Sequence, residues 1–379
     1  MKVCIDLRPT QNEHASRGIG ALVRNLVRET GRENNRQERI FLVDRGGELP
    51  GFSGDRRRIA CYRLPRLHQL NWMLNQLLLP RLLRRHNIDL FVATDFQSYI
   101  IPPAGVKQIG LAYDLIPFIF PETMAEQPFL TQWGWRFNFR NLRRCSGIIA
   151  ISESTKQDLV KFLGLPEDTI RVVYPGIDHS LFNIRNAEQR IPSRYGIAGD
   201  YLLYVGDTEW RKNLRGLLEA LAEIPGDMKL VIAGKRAPTD PRLKKWLMET
   251  KTADRVILPG FIPDEDLPSL YGHARIFIFP TRYEGFGLPV VEAMACGCPV
   301  ITSHNSSLPE VAGNAALYVD PERPENIATG VVRLLDNEIL YNGMRSQGLV
   351  QARQFTWKGF ARGVQDVLSE IDVVDTSAR

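Results

Sequence analysis

Glu284 and Glu292 bracket a short stretch, Gly285-Phe286-Gly287-Leu288-Pro289, that could hold an anion between two carboxylates. Before it, Ile276-Phe277-Ile278-Phe279 has strand composition and stops at Pro280. After it, residues 290–296 read as a short helix ended by Gly297, with Pro289 at the first helical position, where no N–H is needed. The N–H groups of Gly287, Leu288 and Val290 are then expected to point out of the helix start, a seat for phosphate. A carboxylate on either side suits a ligand with hydroxyls beyond both ends of its phosphates, and a nucleotide sugar is such a ligand. The alternative is local: the glycines make a turn and Glu292 complements a helix dipole. Spacing alone, E-x7-E, favours that local reading.

A second charged group lies at 206–213, between an expected strand at 201–205 and a helix at 214–222. Arg211 and Lys212 are adjacent cations where the helix dipole disfavours them, and they could neutralise a departing diphosphate. A third, weaker signal is the Arg17-Gly18-Ile19-Gly20 loop between a strand at 2–7 and a helix at 21–29. Gly18 and Gly20 would let a phosphate or sugar approach the backbone, but a dinucleotide fingerprint would need a further glycine at Val23. Asp264-Glu265-Asp266 offers a superficial D-x-D for metal; these acids also precede an expected helix, which they would cap. Cys296 and Cys298 lack a second ligand pair and read as small buried thiols.

The elements that must position these residues alternate between strand and helix. Short strands are expected at 40–43, 59–64, 89–94, 106–113, 147–152, 170–174, 229–233 and 256–258. Such alternation implies parallel sheets. At 379 residues the chain exceeds one ordinary core, so two domains are expected. Hydrophobic residues make up 44% and charged residues 24%, the balance of a water-soluble globular protein. No apolar run approaches the length of a membrane span, and MKVCIDLRP does not read as a signal peptide. Five scattered cysteines point to a reducing compartment rather than a disulfide framework.

The net charge of +5 is modest, but Arg56, Arg57, Arg58, Arg63, Arg66, Arg81, Arg84 and Arg85 crowd one region. That region could attract an acidic membrane, a pyrophosphate-bearing lipid or nucleic acid, or be a solvated basic face. Residues 72–83, rich in leucine and carrying Trp72, fit either a membrane-surface helix or a core helix with basic ends.

The stretch EGFGLPVVEAMACGCPVI resembles the signature of retaining glycosyltransferases of family 4, which have the GT-B fold. The resemblance extends to Tyr113-Asp114-Leu115-Ile116-Pro117, Pro175-Gly176-Ile177-Asp178, Trp210-Arg211-Lys212-Asn213, Phe261-Ile262-Pro263-Asp264 and Leu308-Pro309-Glu310-Val311. It implies an α/β architecture of two Rossmann-like domains facing across a cleft, with a C-terminal helix returning to the first. On this reading residues 1–182 form the acceptor-side domain, 183–200 a polar linker, 201–357 the nucleotide-sugar domain and 358–379 the returning helix.

The resemblance assigns Glu284 to hexose hydroxyls, Glu292 to the nucleotide ribose, and Lys212 with Arg211 to the leaving diphosphate. Gly285, Phe286, Gly287 and Leu288 would line the phosphate seat, with Gly18, Gly20, Asp114, Phe261 and Ile262 also touching the donor. Two positions depart from the family pattern: Tyr113 replaces a histidine, and Asp207 replaces an arginine. A tyrosine can hydrogen-bond a sugar hydroxyl but cannot carry an imidazole's charge.

The expected reaction is retaining, front-face, metal-independent transfer of a hexose from a nucleotide sugar. Closest in pattern are bacterial mannosyltransferases of surface-polysaccharide (O-antigen or exopolysaccharide) assembly. GDP-mannose is therefore the expected donor and a lipid-linked oligosaccharide the expected acceptor, at the cytoplasmic face of the inner membrane and docked through the arginines of residues 56–85. UDP-glucose and dTDP- or GDP-linked deoxyhexoses are alternative donors. A silent sugar-nucleotide-binding subunit and an epimerase are alternative functions, and the arginine cluster matches no nucleic-acid recognition motif.

Overall fold

The computed structural model describes residues 1–11, 18–30, 38–44, 58–61 and 71–376, with backbone alone at 58–61 and 372–376. Arg17, Arg56, Arg57, Arg63 and Arg66 lie outside the described residues, as do the Arg58 side chain and the 62–64 end of one expected strand. Two units emerge from the contacts: Met1–Gly176 with Trp357–Arg379, and Ile177–Thr356.

In the first unit Lys2–Asp6 (β1), Glu38–Asp44 (β2), Arg58–Cys61 (β3), Leu90–Ala93 (β4), Lys107–Ala112 (β5), Gly147–Ala150 (β6) and Ile170–Val172 (β7) form one sheet. Their order is β3-β2-β1-β4-β5-β6-β7, and every pairing is parallel. Helices covering both faces explain why β4 and β6 are buried throughout and read as apolar runs rather than alternations. The chain leaves β1 to build β2 and β3 on one side, then returns to build β4 to β7 on the other. A crevice opens at such a reversal, between the loops that follow β1 and β4.

That reversal holds a buried ion pair. Asp6, at the end of β1, and Arg8 are almost completely enclosed, with Nη2 of Arg8 2.8 Å from Oδ2 of Asp6. Arg8 also donates from Nη1 to Oδ1 of Asn75 at 2.8 Å and from Nη2 to Oγ of Ser98 at 3.1 Å. Asn75 in turn donates to the carbonyl of Gln97 at 2.8 Å. The Asn71–Arg85 helix is thereby locked to the sheet by polar bonds as well as by Leu79 and Leu83. It is thus a core helix with an exposed outer face, which carries Met73, Leu77 and three arginines.

The C-terminal helix, Trp357–Thr376, belongs to the first unit and packs against the Gly18–Thr30 helix. Within the unit, Lys107 Nζ donates to the Ile371 carbonyl at 2.9 Å, and Arg39 donates to Oε1 of Gln365 at 2.8 Å.

The second unit repeats the plan with Tyr201–Val205 (β8), Lys229–Ala233 (β9), Val256–Gly260 (β10), Ile276–Phe279 (β11), Val300–Ser303 (β12) and Ala316–Val319 (β13). Its order is β10-β9-β8-β11-β12-β13, again all parallel. The reversal here falls between β8 and β11. Residues 183–200 belong to this unit. Their polar groups bond to the Leu267–His273 helix: Glu188 N–H donates to Ser269 Oγ at 2.9 Å, and Tyr195 Oη donates to Asp266 at 2.5 Å.

Replacing Arg8 would leave Asp6 buried without its cation. Arg8→Ala should destabilise the first unit by about 3–5 kcal/mol, read as a lowered urea midpoint. A loss below about 1 kcal/mol would show that water or local rearrangement compensates the carboxylate.

Candidate functional site

The loop that follows β11 begins at Pro280, which cannot extend the sheet ladder. It is held by the loop that follows β12. Glu284 N–H donates to Ser306 Oγ at 3.0 Å, and Ser307 Oγ bonds to the carbonyls of Glu284 at 3.0 Å and Phe286 at 2.8 Å. Gly287 has φ +102°, and a Cβ there would lie 2.9 Å from Leu308 Cδ2, so both backbone and space call for glycine.

That left-handed turn starts the helix at Leu288, one residue before the expected first position at Pro289, and it runs to Ala295. It also settles the amides. Val290 N–H, expected to point outward, donates to the Gly287 carbonyl at 3.0 Å. That bond removes Val290 from the expected set of three and leaves Gly287 and Leu288 as its candidates.

Glu284 is 7% exposed. Its Oε1 receives both cations of the loop that follows β8, Arg211 Nη1 at 2.9 Å and Lys212 Nζ at 2.7 Å. Arg211 is held in turn by Glu209 at 2.9 Å and by the Tyr283 carbonyl at 3.1 Å. Lys212 Nζ lies 4.7 Å from the centre of the Phe279 ring. Backbone bonds fasten the two loops together: Arg282 N–H donates to the Arg211 carbonyl at 2.7 Å, and Arg282 Nη1 to that of Trp210 at 3.1 Å. Asn213, with φ +55°, closes the junction by donating to the Pro321 carbonyl at 2.6 Å.

The charges set one another. Burial pushes the Glu284 carboxyl up, but Arg211 and Lys212 outweigh burial and hold it below the usual carboxylate range. Lys212 is lowered, chiefly by burial and further by Arg211, while Glu284 opposes the shift.

Glu292, in the helix that follows, is in a different environment. Its one neutral partner is the Tyr271 hydroxyl, 3.0 Å from Oε2. Burial, with a smaller push from Asp264, lifts its pKa to about 7 against the lowering effect of Tyr271. At the end of β10, Phe261 is 61% exposed and Ile262 is buried. Asp266, part of the superficial D-x-D, bonds to Tyr195. Among the described residues, no group of three or more His, Cys, Asp or Glu side chains gathers as a metal site.

The second unit thus brings together Arg211, Lys212, Glu284 and the 285–288 turn, with Glu292 on the helix leaving that turn. Asp207, the departure from the family pattern, lies 3.3 Å from Arg236 Nε in an ion pair. Cys296 and Cys298 are buried, and burial pushes both thiols up.

The remaining expected residues lie in the first unit. Gly18 and Gly20 open the Gly18–Thr30 helix, Gly18 exposed and Gly20 buried. Asp114 accepts from Ile116 N–H at 3.2 Å. The Tyr113 hydroxyl donates to the Thr94 carbonyl at 2.8 Å, and burial, with Asp95 and Asp6, pushes it well above the ordinary phenol range.

Several contributors escaped the sequence reading. Ser306 and Ser307 hold the Glu284 loop, and their place just after a strand end was the available signal. Tyr271 holds Glu292 from 21 positions away, which no spacing rule reveals. Thr281 Oγ1 and Asn305 Oδ1, from the same two loops, and Ser303 Oγ, at the end of β12, are buried without a hydrogen-bond partner.

Residues 16–181 match the family model described as Glycosyltransferase Family 4, and residues 189–350 match that described as Glycosyl transferases group 1. The chain is 38% identical over 221 residues to the O-antigen chain mannosyltransferase B of Escherichia coli, covering 56% of this chain and 57% of that protein. It is 28% identical over 279 residues to the serotype-specific mannosyltransferase WbdA of Escherichia coli, covering 71% of this chain and 34% of that one. The chain therefore spans between a third and rather more than half of the length of these relatives. Among solved structures, sucrose-phosphate synthase from Thermosynechococcus elongatus matches with TM-score 0.81 at 18% identity, over 99% of this chain and 100% of that one. Two parallel-sheet units of this kind make the GT-B fold, and the chain belongs to glycosyltransferase family 4.

Proposed function

We propose that the chain is a retaining hexosyltransferase that moves mannose from GDP-mannose to a lipid-linked saccharide during surface-polysaccharide assembly. The observation that carries this reading is the convergence of Arg211 and Lys212 on Glu284 beside the 285–288 turn. The mannosyltransferase names of the similar proteins favour mannose over other hexoses.

On this reading the diphosphate lies against the Gly287 and Leu288 amides, with Arg211 and Lys212 neutralising the charge that grows as the bond to the sugar breaks. Glu284 accepts hexose hydroxyls through Oε2, since both cations hold Oε1. A carboxylate kept charged by two cations is a weak base and a weak nucleophile, which favours a binding role over covalent catalysis. In front-face transfer the bond from the sugar's anomeric carbon to the phosphate oxygen breaks. The acceptor oxygen bonds to that carbon on the same face, and its proton passes to the leaving phosphate. Glu292 holds the ribose, and the exposed face of Phe261 with Ile262 meets the base. The unpaired Thr281, Ser303 and Asn305 atoms lie at the strand ends and loops that would enclose the donor and could bond to its hydroxyls. Gly18, Gly20 and Asp114 of the first unit are assigned to the donor as well, and the exposed arginines of that unit would hold the chain at the cytoplasmic face of the inner membrane.

Tyr113, bound to a backbone carbonyl, and Asp207, paired with Arg236, favour a second reading in which the chain binds a nucleotide sugar without turning it over. Turnover by the purified chain separates the two.

A thermal-shift panel of GDP-, UDP-, dTDP- and ADP-sugars should give its largest rise with GDP-mannose. A larger response to a UDP- or dTDP-sugar would discard the mannose assignment and keep the reaction class. Lys212→Ala should lower kcat by about 10²–10³-fold in a transfer assay, and full turnover would remove the leaving-group assignment.

Donor affinity should rise with pH, because an ionised Glu292 accepts ribose hydroxyls better than a neutral one. With a pKa of about 7, the ionised fraction grows roughly tenfold between pH 6 and 8. Protonation favours the ligand-free fold at this group, so its stabilising contribution is present at low pH and is lost as pH climbs through 7. Glu292→Gln should flatten the titration of donor Kd by calorimetry; an unchanged slope would assign it to another group.

A further inference from the structure

The helix Phe129–Asn141 was not among the elements expected from the sequence, and it lies against Asn71–Arg85. Trp72 meets Trp133 with ring centres 5.0 Å apart and Phe137 at 5.6 Å, while Gln76 donates to Asn138 Oδ1 at 3.2 Å. The two helices therefore run side by side in the same direction. A Cβ at Gly134 would lie 2.4 Å from the Trp72 ring, so glycine there permits the close approach.

Their outer faces share one pattern. On Asn71–Arg85, Met73 and Leu77 are 41% and 54% exposed, followed by exposed Arg81, Arg84 and Arg85. On Phe129–Asn141, Phe129, Leu130 and Trp133 are 76%, 46% and 48% exposed, followed by exposed Arg136 and Arg140. Ile101, 43% exposed, joins the apolar end through its N–H bond to Gln76 Oε1 at 3.0 Å. Neither helix contains an acidic residue; the nearest acid before them is Glu126, ahead of Phe129. Nearly half of the large apolar side chains that the described chain exposes gather here, which isolated surface residues would not do.

We infer that this paired-helix face docks on an anionic lipid surface, with Phe129, Leu130, Trp133, Met73 and Leu77 entering the headgroup region and the arginines meeting lipid phosphates. The inference rests on the membrane contact proposed above and adds the surface that makes it. Charge complementarity selects the occupant: a single-signed row of five arginines beside an aromatic-bearing apolar edge matches the headgroup boundary of an acidic bilayer. Arginine and tryptophan also suit protein contacts, but an opposing protein face would need carboxylates that a second copy of these helices does not offer.

The test is flotation of the full chain with vesicles of phosphatidylcholine alone and of phosphatidylcholine mixed with phosphatidylglycerol. Binding should require the anionic lipid and weaken with salt. Phe129→Ser with Leu130→Ser, at exposed positions, should lower partitioning at least about tenfold. Arg136→Gln with Arg140→Gln should remove part of the salt-sensitive binding. Transfer to a water-soluble saccharide acceptor should be unchanged in both variants, which separates this proposal from the glycosyl-transfer reading. Equal partitioning of the serine variant and the parent would overturn the docking face. So would a parent chain that ignores both vesicles, or one that forms a dimer which only the serine variant breaks.

Discussion

A carboxylate buried between two cations ties the second unit together at its working end. Glu284 leaves β11 and the Arg211-Lys212 pair leaves β8, strands that are direct neighbours in the sheet. Around that junction the chain diverges, through β9 and β10 on one side and β12 and β13 on the other. Diverging connections leave a crevice at the strand ends, and charge fills it. Removing either cation would leave the other to balance a carboxylate that burial already disfavours. Both loops are therefore fixed by the same electrostatic condition, and the Arg282–Arg211 and Ser307–Glu284 bonds keep them in register for it.

The first unit has the same reversal, between β1 and β4, and also a buried ion pair there, but its chemistry is closed. Asp6 and Arg8 bond to each other, to Asn75 and to Ser98, so the pair anchors a helix to the sheet. In the second unit both cations converge on Oε1 of Glu284, close in sequence to buried polar atoms that lack partners. The same topological position thus anchors a helix in one sheet and gathers two cations on a carboxylate in the other.

How much of this was legible in the sequence follows from range. Strands whose burial comes from parallel packing were readable as apolar runs, and β8, β9 and β11 fall where composition placed them. The start of the 288–295 helix lies one residue before Pro289 because Gly287's left-handed turn begins it. Val290 looked free for the same reason. The Arg211, Lys212 and Glu284 cluster joins residues about seventy positions apart, so spacing could nominate each side but not show that both cations share one oxygen. The helix carrying Trp133 was missed because its residues alternate large aromatics with arginine and glutamine. That pattern makes sense once half of its face is known to meet another helix and half to meet solvent.

Two carboxylates close in sequence end with opposite electrostatics: burial raises both, and only Glu284 has cations that outweigh it. Glu284 faces two cations and stays ionised; Glu292 faces a phenol and another acid, Asp264, and titrates near neutrality. The carboxylate that would meet the reacting sugar is therefore held in its charged form by its partners. The end that would meet the nucleoside can vary without disturbing it. A single low-pKa environment for both would leave donor binding insensitive to pH, while a single high-pKa environment would let protonation of Glu284 release Lys212 and Arg211 from their shared anchor. The separation follows from topology: one glutamate sits where two loops converge, and the other a full turn along the helix, beyond the reach of either cation.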